Sequence, residues 1–250
     1  MAKGSLENQL YNHVDKQACL TWEQRVNICI GAARGLNFLH GVFESGVIHR
    51  HVNCSNIMLD DNFVPKIADF GIAKLANDGD DTITTHICGT IGYLAPEYLV
   101  FGKVTKKIDV FGFGVVLLVV LSGRRHNDYV SYGDDGRYYP MCVHLWAEKC
   151  IRENKVDKLI DPELIGQFKS ESVVKFLEVA QNCLHPQPDK RHTMEEVVAG
   201  LELALEKQLS STYTHWIESH EPPNLQYLQP QNERKYSSSS KLYDKFVHGI

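Results

Sequence analysis

Apolar residues along this chain fall mostly at helical spacing. Val26, Ile30, Ala33 and Leu36 recur in steps of three and four, which predicts one face of an amphipathic helix. Thr21 followed by Gln24 marks its start as a capping box, each side chain satisfying an orphan backbone N–H. Gly41 and Gly46 end it. Residues 47–48, 56–59 and 64–68 are brief apolar runs, expected as short strands or turns around a tight site. Residues 74–90 are rich in Asp, Thr and Gly and read as a long polar loop, a kind that is usually functional inside a compact domain. Residues 110–121 are apolar on every side, the pattern of a helix at the centre of a domain. A polar and aromatic insert at 124–139 precedes three amphipathic helices at 143–151, 173–184 and 194–205. Thr193 and Glu196 form a second capping box before the last of them. Residues 1–207 are therefore expected as one domain, and 208–250, rich in Ser, Gln and Pro, as a disordered tail.

Composition narrows the function classes. The chain has 250 residues, 43% of them hydrophobic, and a net charge of −5 from 26 basic and 31 acidic residues. A globular core is affordable at that size, and nothing in the charge points to nucleic acid or an anionic membrane surface. The apolar run at 110–121 is too short to cross a bilayer. The seven cysteines are odd in number, widely spaced and without a CxxC pair, so they are expected as core thiols in a reducing compartment rather than as disulfides or zinc ligands. A cytoplasmic location follows as the expectation.

Three short segments carry the candidate chemistry. They are Ile48-His49-Arg50-His51-Val52-Asn53-Cys54-Ser55-Asn56, then Asp69-Phe70-Gly71, then Ala95-Pro96-Glu97. Their order and spacing resemble the catalytic loop, the metal-binding loop and the end of the activation segment of a protein kinase. Asp109 before the buried helix and Arg191 late in the chain extend the match. GAARGLNFLH (31–40), SNIMLD (55–60), PKIADFG (65–71) and GTIGYLAPEY (89–98) resemble more closely the plant receptor-like serine/threonine kinases. The resemblance covers about residues 4–207 and implies a protein kinase-like, mainly α-helical C-terminal lobe with short β-hairpin elements around the catalytic and metal loops.

It also implies site residues and cofactors. ATP and Mg²⁺ are the family's cofactors, with Asp69 on one magnesium and Asn56 on a second. Both are oxygen ligands of the kind hard magnesium prefers. Gly71, beside Phe70, lets the backbone turn sharply where the metal loop meets the mobile segment. Glu97 is expected to pair with Arg191, and Asp109 at a helix start to accept backbone N–H bonds from the catalytic loop. His49 is expected as a packed core histidine. Thr90 is assigned to the substrate-docking wall, and Thr82, Thr84 and Thr85 are candidate phosphorylation sites whose phosphate would pair with Arg50.

The departures from the family pattern bear on activity. His51 stands where the catalytic aspartate is expected, and Asn53 where a lysine steadies the transferred phosphate. Loss of a general base typically costs about 10²–10⁴ in rate, roughly 3–5 kcal/mol of barrier. A neutral imidazole accepts protons near pH 7, but it places its nitrogen differently from a carboxylate oxygen and carries no charge toward the metal side. No glycine-rich G-x-G-x-x-G segment or strand lysine precedes the catalytic loop, so the upper lobe is expected to be missing, and apolar surface near residues 57–59 to be exposed. The expectation is an impaired, pseudokinase-like module with weak or absent nucleotide binding. It would act by binding protein partners such as an intact receptor-like kinase or its substrate. The alternatives are an active kinase with His51 as base and an upper lobe in trans, and a helical scaffold without nucleotide.

Overall fold

The computed structural model describes residues 2–11, 19–42, 45–76, 83–84, 86–131 and 138–210. Helix α1 spans Leu6–Tyr11 and α2 spans Trp22–Gly41. The capping box at the start of α2 is complete: Gln24 N donates to Thr21 Oγ1, and Thr21 N donates to Gln24 Oε1. Three pairs of short strands follow, and the catalytic and metal loops lie between the strands of the first. These are β1 (Val47–Ile48), β2 (Ile57–Leu59), β3 (Pro65–Ile67), β4 (Lys74–Leu75), β5 (Ile83–Thr84) and β6 (Lys103–Val104), with α3 (Pro96–Phe101) between the last two. The antiparallel pairs are β1 with β4, β2 with β3, and β5 with β6. The rest is helical: α4 (Lys106–Ser122), α5 (Val143–Arg152), α6 (Ser170–Cys183) and α7 (Met194–Leu209). The insert before α5 folds back as a fourth strand pair, β7 (Tyr129–Ser131) with β8 (Tyr138–Pro140).

α4 is the central rod. Every residue from Ile108 to Ser122 is buried, as its all-apolar sequence requires. It packs chiefly on α6, which packs on α7, which packs on α2. Small residues let these helices approach closely. A Cβ on Gly114 would lie 2.7 Å from Cys183 Cβ, and one on Gly200 would lie 2.5 Å from Val179 Cγ2. Trp22 anchors the start of α2: it is fully buried, stands edge-on to Phe176 at 5.0 Å, and donates from Nε1 to Ser172 Oγ. Arg25 on the same helix is 3% exposed and bonds Leu20 O, Val120 O and the Asp161 carboxylate, so its buried charge is both paired and hydrogen-bonded. Five of the seven cysteines, Cys29, Cys54, Cys142, Cys150 and Cys183, are buried thiols.

Three expectations are corrected or bounded here. The surface at 57–59 is not open: Ile57 and Leu59 are buried. The chain's first residues cover it, through Lys3 N on Leu59 O, Leu59 N on Gly4 O and a bridge between Ser5 and Met58. Leu6 is fully buried beneath that stitch. Asp109 does not open its helix: α4 starts at Lys106 with Thr105 as N-cap, and Asp109 is the fourth residue. α7 runs to Leu209, two residues past the expected boundary, and the expected tail from 211 onward lies outside the described residues.

Candidate active site

Asp109 builds the catalytic loop from below. It is 1% exposed, and its carboxylate accepts His49 N and Arg50 N at 2.7 Å each, with His40 Nε2 at 2.9 Å. These bonds hold Arg50 at φ +69°, a left-handed conformation that costs an L-residue roughly 1–2 kcal/mol. The two anchored amides fix the residues on either side of them in sequence. His49 is wholly buried, edge-on to Phe70 at 5.0 Å. Its Nε2 reaches Ala68 O at 3.1 Å, and its Nδ1 accepts His51 N at 3.2 Å. Burial pushes the His49 pKa down, so the ring stays neutral with its proton on Nε2.

Arg50 is 6% exposed, and both terminal nitrogens of its guanidinium are already engaged. Nη1 donates to Ile72 O, and Nη2 donates to His86 O and to the Tyr98 hydroxyl at 2.7 Å. It ties the metal loop to the segment before α3 and, in this arrangement, does not face solvent to receive a phosphate. Of the candidate phosphorylation sites, Thr84 lies in β5, paired with Lys103 of β6. Thr82 and Thr85 fall outside the described residues.

His51 lies between two other elements. Its Nδ1 is 2.7 Å from Asp69 Oδ2, and its Nε2 is 3.1 Å from Thr90 Oγ1. Asn53 Nδ2 also donates to Thr90 Oγ1, at 3.3 Å, while Asn53 Oδ1 caps the turn Cys54–Asn56 by accepting Asn56 N. A carboxylate only accepts, so the Asp69 contact puts a proton on His51 Nδ1. Thr90 receives from Asn53 and, toward a neutral ring, donates to His51 Nε2. The bonds then run in one direction, Asn53 to Thr90 to His51 to Asp69. The cavity at this point is lined by Arg50, His51, Thr90, Tyr93, Tyr98 and Asp109 among others.

Asp69 sits at φ +65° in the metal loop, and its Oδ1 accepts Gly71 N at 3.3 Å. The hydrogen bond from His51, then that from Gly71, holds its carboxyl below the usual range, so it is ionised near neutrality. Asn56 Nδ2 donates to His51 O at 2.9 Å and approaches Asp69 Oδ2 at 3.5 Å. This places the Asp69 carboxylate and the Asn56 amide side by side. Together they offer hard oxygens of the kind magnesium takes when phosphates and water complete its shell. Among the described residues no group of three or more His, Cys, Asp and Glu side chains could hold a metal unaided. The donor set thus fits magnesium only where phosphates or water complete its shell.

The far end of the segment is pinned as the sequence suggested. Arg191, 2% exposed, makes a two-pronged pair with Glu97 at 2.7 and 2.8 Å, bonds His185 O and Lys107 O, and lies over the Phe111 ring at 5.0 Å. Two groups escaped sequence reading. His40 bonds the Asp109 carboxylate from α2, and Tyr98 binds Arg50, Cys88 N and His86 O through its hydroxyl. Tyr98 sits directly after Glu97, but no spacing rule ties a tyrosine to an arginine 48 residues upstream.

The protein kinase domain family matches residues 1–200. A probable receptor-like protein kinase of Arabidopsis thaliana is 42% identical over 223 residues, covering 88% of this chain and 25% of the relative. The EPD1-interacting receptor-like cytoplasmic serine/threonine-protein kinase of Nicotiana benthamiana is 43% identical over 204 residues, 81% of this chain and 42% of the relative. The receptor-like protein kinase ANXUR1 of Arabidopsis thaliana is 38% identical over 231 residues, 90% of this chain and 25% of the relative. The chain thus spans between a quarter and less than half of these relatives' lengths. No helix among the described residues is long and apolar enough to cross a membrane. With catalytic, metal and terminal anchoring elements in the family's order and a match over four-fifths of its length, the chain belongs to the protein kinase family, in its plant receptor-like serine/threonine branch.

Proposed function

We propose that this chain is a receptor-like kinase domain impaired in phosphoryl transfer, which works in cytoplasmic signalling by binding protein partners. The intact receptor-like kinases it resembles, or their substrates, are the partners this reading favours. The observation that carries it is the engagement of His51. A general base must present a free lone pair to the substrate hydroxyl. The Nε2 of His51 instead meets the chain's own Thr90 at 3.1 Å, and its Nδ1 is committed to Asp69 at 2.7 Å. Asn53 brings an amide, not a cation, to the place where developing phosphoryl charge needs neutralising. Asp69 and Asn56 would hold magnesium with ATP phosphates, and that metal supplies charge neutralisation when bound.

The test is transfer of radiolabelled ATP to a generic protein substrate, with the full chain purified away from companion enzymes. The expected result is no label above that of His51→Ala. Robust turnover abolished by His51→Ala overturns the proposal. It would support a second reading, favoured by the 3.1 Å approach of Nε2 to a hydroxyl, in which His51 is itself the base. A magnesium-ATP thermal-shift measurement separates both from a scaffold without nucleotide. A shift lost in Asp69→Ala marks residual binding, and no shift marks pure scaffolding.

A further inference from the structure

His51 does more than replace an aspartate. In a metal site built on one carboxylate, the outward lone pairs of that carboxylate are the scarce resource. Here Asp69 Oδ2 receives His51 Nδ1–H at 2.7 Å and, more distantly, Asn56 Nδ2–H at 3.5 Å, and Oδ1 receives Gly71 N–H at 3.3 Å. The imidazole is not a loose surface ring that happens to lie nearby. Its other nitrogen is held by Thr90 at 3.1 Å, Thr90 is held in turn by Asn53 at 3.3 Å, and its backbone N–H is bonded to the buried His49 ring. Its side chain is only 26% exposed, against 47% for Asp69. The ring is therefore fixed at both ends across the mouth of the metal loop. It spans from that loop to the segment after Gly89.

We propose that His51 is a built-in occupant of the metal site, a latch whose Nδ1–H fills the Asp69 Oδ2 position that a divalent cation would take and whose Nε2 is fastened to Thr90. This rests on Asp69 and Asn56 being the metal-side oxygens of the proposed function. A cation taking this Oδ2 position competes with the His51 bond, so the latch lowers metal affinity independently of any chemistry. Both partners are partly exposed, so solvent screening keeps the effect moderate. Removing the ring should tighten divalent binding by roughly three- to tenfold.

The experiment titrates Mn²⁺ alone into the full chain, without nucleotide, and reads the free ion by electron paramagnetic resonance. Wild type is compared with His51→Ala and with His51→Phe, which keeps a ring of similar bulk but no hydrogen bond. Both variants are expected to bind Mn²⁺ severalfold more tightly, and a further Asp69→Ala change should abolish the gain. Thr90→Val, which unfastens the far nitrogen and leaves His51 in place, should give a smaller gain and serves if the His51 variants do not fold. Equal affinity in wild type and the folded variants overturns the latch, and so does a gain that survives Asp69→Ala. This readout is separate from the transfer assay. Equal Mn²⁺ affinities refute the latch even if the chain transfers no phosphate, and transfer by wild type refutes the impaired reading whatever the Mn²⁺ titration gives.

Discussion

Replacing Asp109 by alanine is the severest single test of how the catalytic loop is held. The carboxylate is 1% exposed and receives three donors: His49 N and Arg50 N at 2.7 Å, and His40 Nε2 at 2.9 Å. Alanine leaves two backbone N–H groups at buried residues without an acceptor. An orphaned buried donor costs about 1–3 kcal/mol, so the pair costs about 2–6 kcal/mol before relaxation. The lost His40 bond adds about 1 kcal/mol. Against this, the loop can relax Arg50 from φ +69°, recovering part of roughly 1–2 kcal/mol of backbone strain. The net expectation is a loss of about 3–5 kcal/mol. Equilibrium urea unfolding of the full chain, followed by far-ultraviolet circular dichroism, measures it. Asp109→Asn keeps one carbonyl oxygen but turns an NH₂ toward a donor, and should fall between wild type and alanine. A loss below about 1 kcal/mol for Asp109→Ala, with the fold retained, would refute the claim that this carboxylate organises the loop.

The remaining predictions are independent of that one. Arg191→Ala strands Glu97 and should cost about 3–5 kcal/mol in the same unfolding assay, because one partner of a buried, two-pronged pair is removed. Gly114→Ala forces a methyl within 2.7 Å of Cys183 Cβ and 2.8 Å of Leu184 Cγ, so α4 and α6 must separate. A loss of about 1–3 kcal/mol is expected, and an unchanged midpoint would contradict the close packing. Burial pushes the His144 pKa down to about 4. Between the unfolded value near 6.5 and that lower value, the unfolded chain binds a proton that the folded chain refuses. Stability contributed by keeping His144 neutral is thus full above about pH 6.5 and falls as pH drops toward 4, by roughly 3 kcal/mol; urea midpoints at several pH values, compared with His144→Phe, read it. An upstream kinase is expected to modify Thr84 or Thr85, and mass spectrometry of cell-derived protein showing neither site modified would argue against it.

The helices were the most legible part of the chain. Periodicity found α2, α5, α6 and α7, an unbroken apolar run found α4, and both capping boxes formed as read, because local side-chain chemistry decides them. The helix starts slipped where polar residues carry the first turn: the apolar run begins at Val110, but Thr105 caps α4 and Lys106 begins it. His49, Arg50, Asn56, Asp69, Glu97, Asp109 and Arg191 are singled out by motif order, which no periodicity contains. The hydrogen bonds that join His51 to its neighbours were not legible. Nothing in the spacing of His51, Asp69 and Thr90 says that one imidazole touches both of the others, since that depends on how two loops and a turn converge. The exposure expected at 57–59 follows from a missing upper lobe; the cover the chain's own first residues supply carries no strand signal and binds through backbone groups.

That backbone cover has a practical side. Because Lys3 and Gly4 hydrogen-bond to Leu59 and Leu6 is sealed in the core, the leading residues are a structural edge and not a spare handle. Trimming four or five of them would uncover β2 and unseat Leu6, whereas a fusion joined ahead of residue 3 would emerge at the Leu59 end of β2, beside the β2–β3 turn. Whatever polypeptide is attached there is delivered to the β2–β3 turn, where Lys3 already lies over the Phe63 ring.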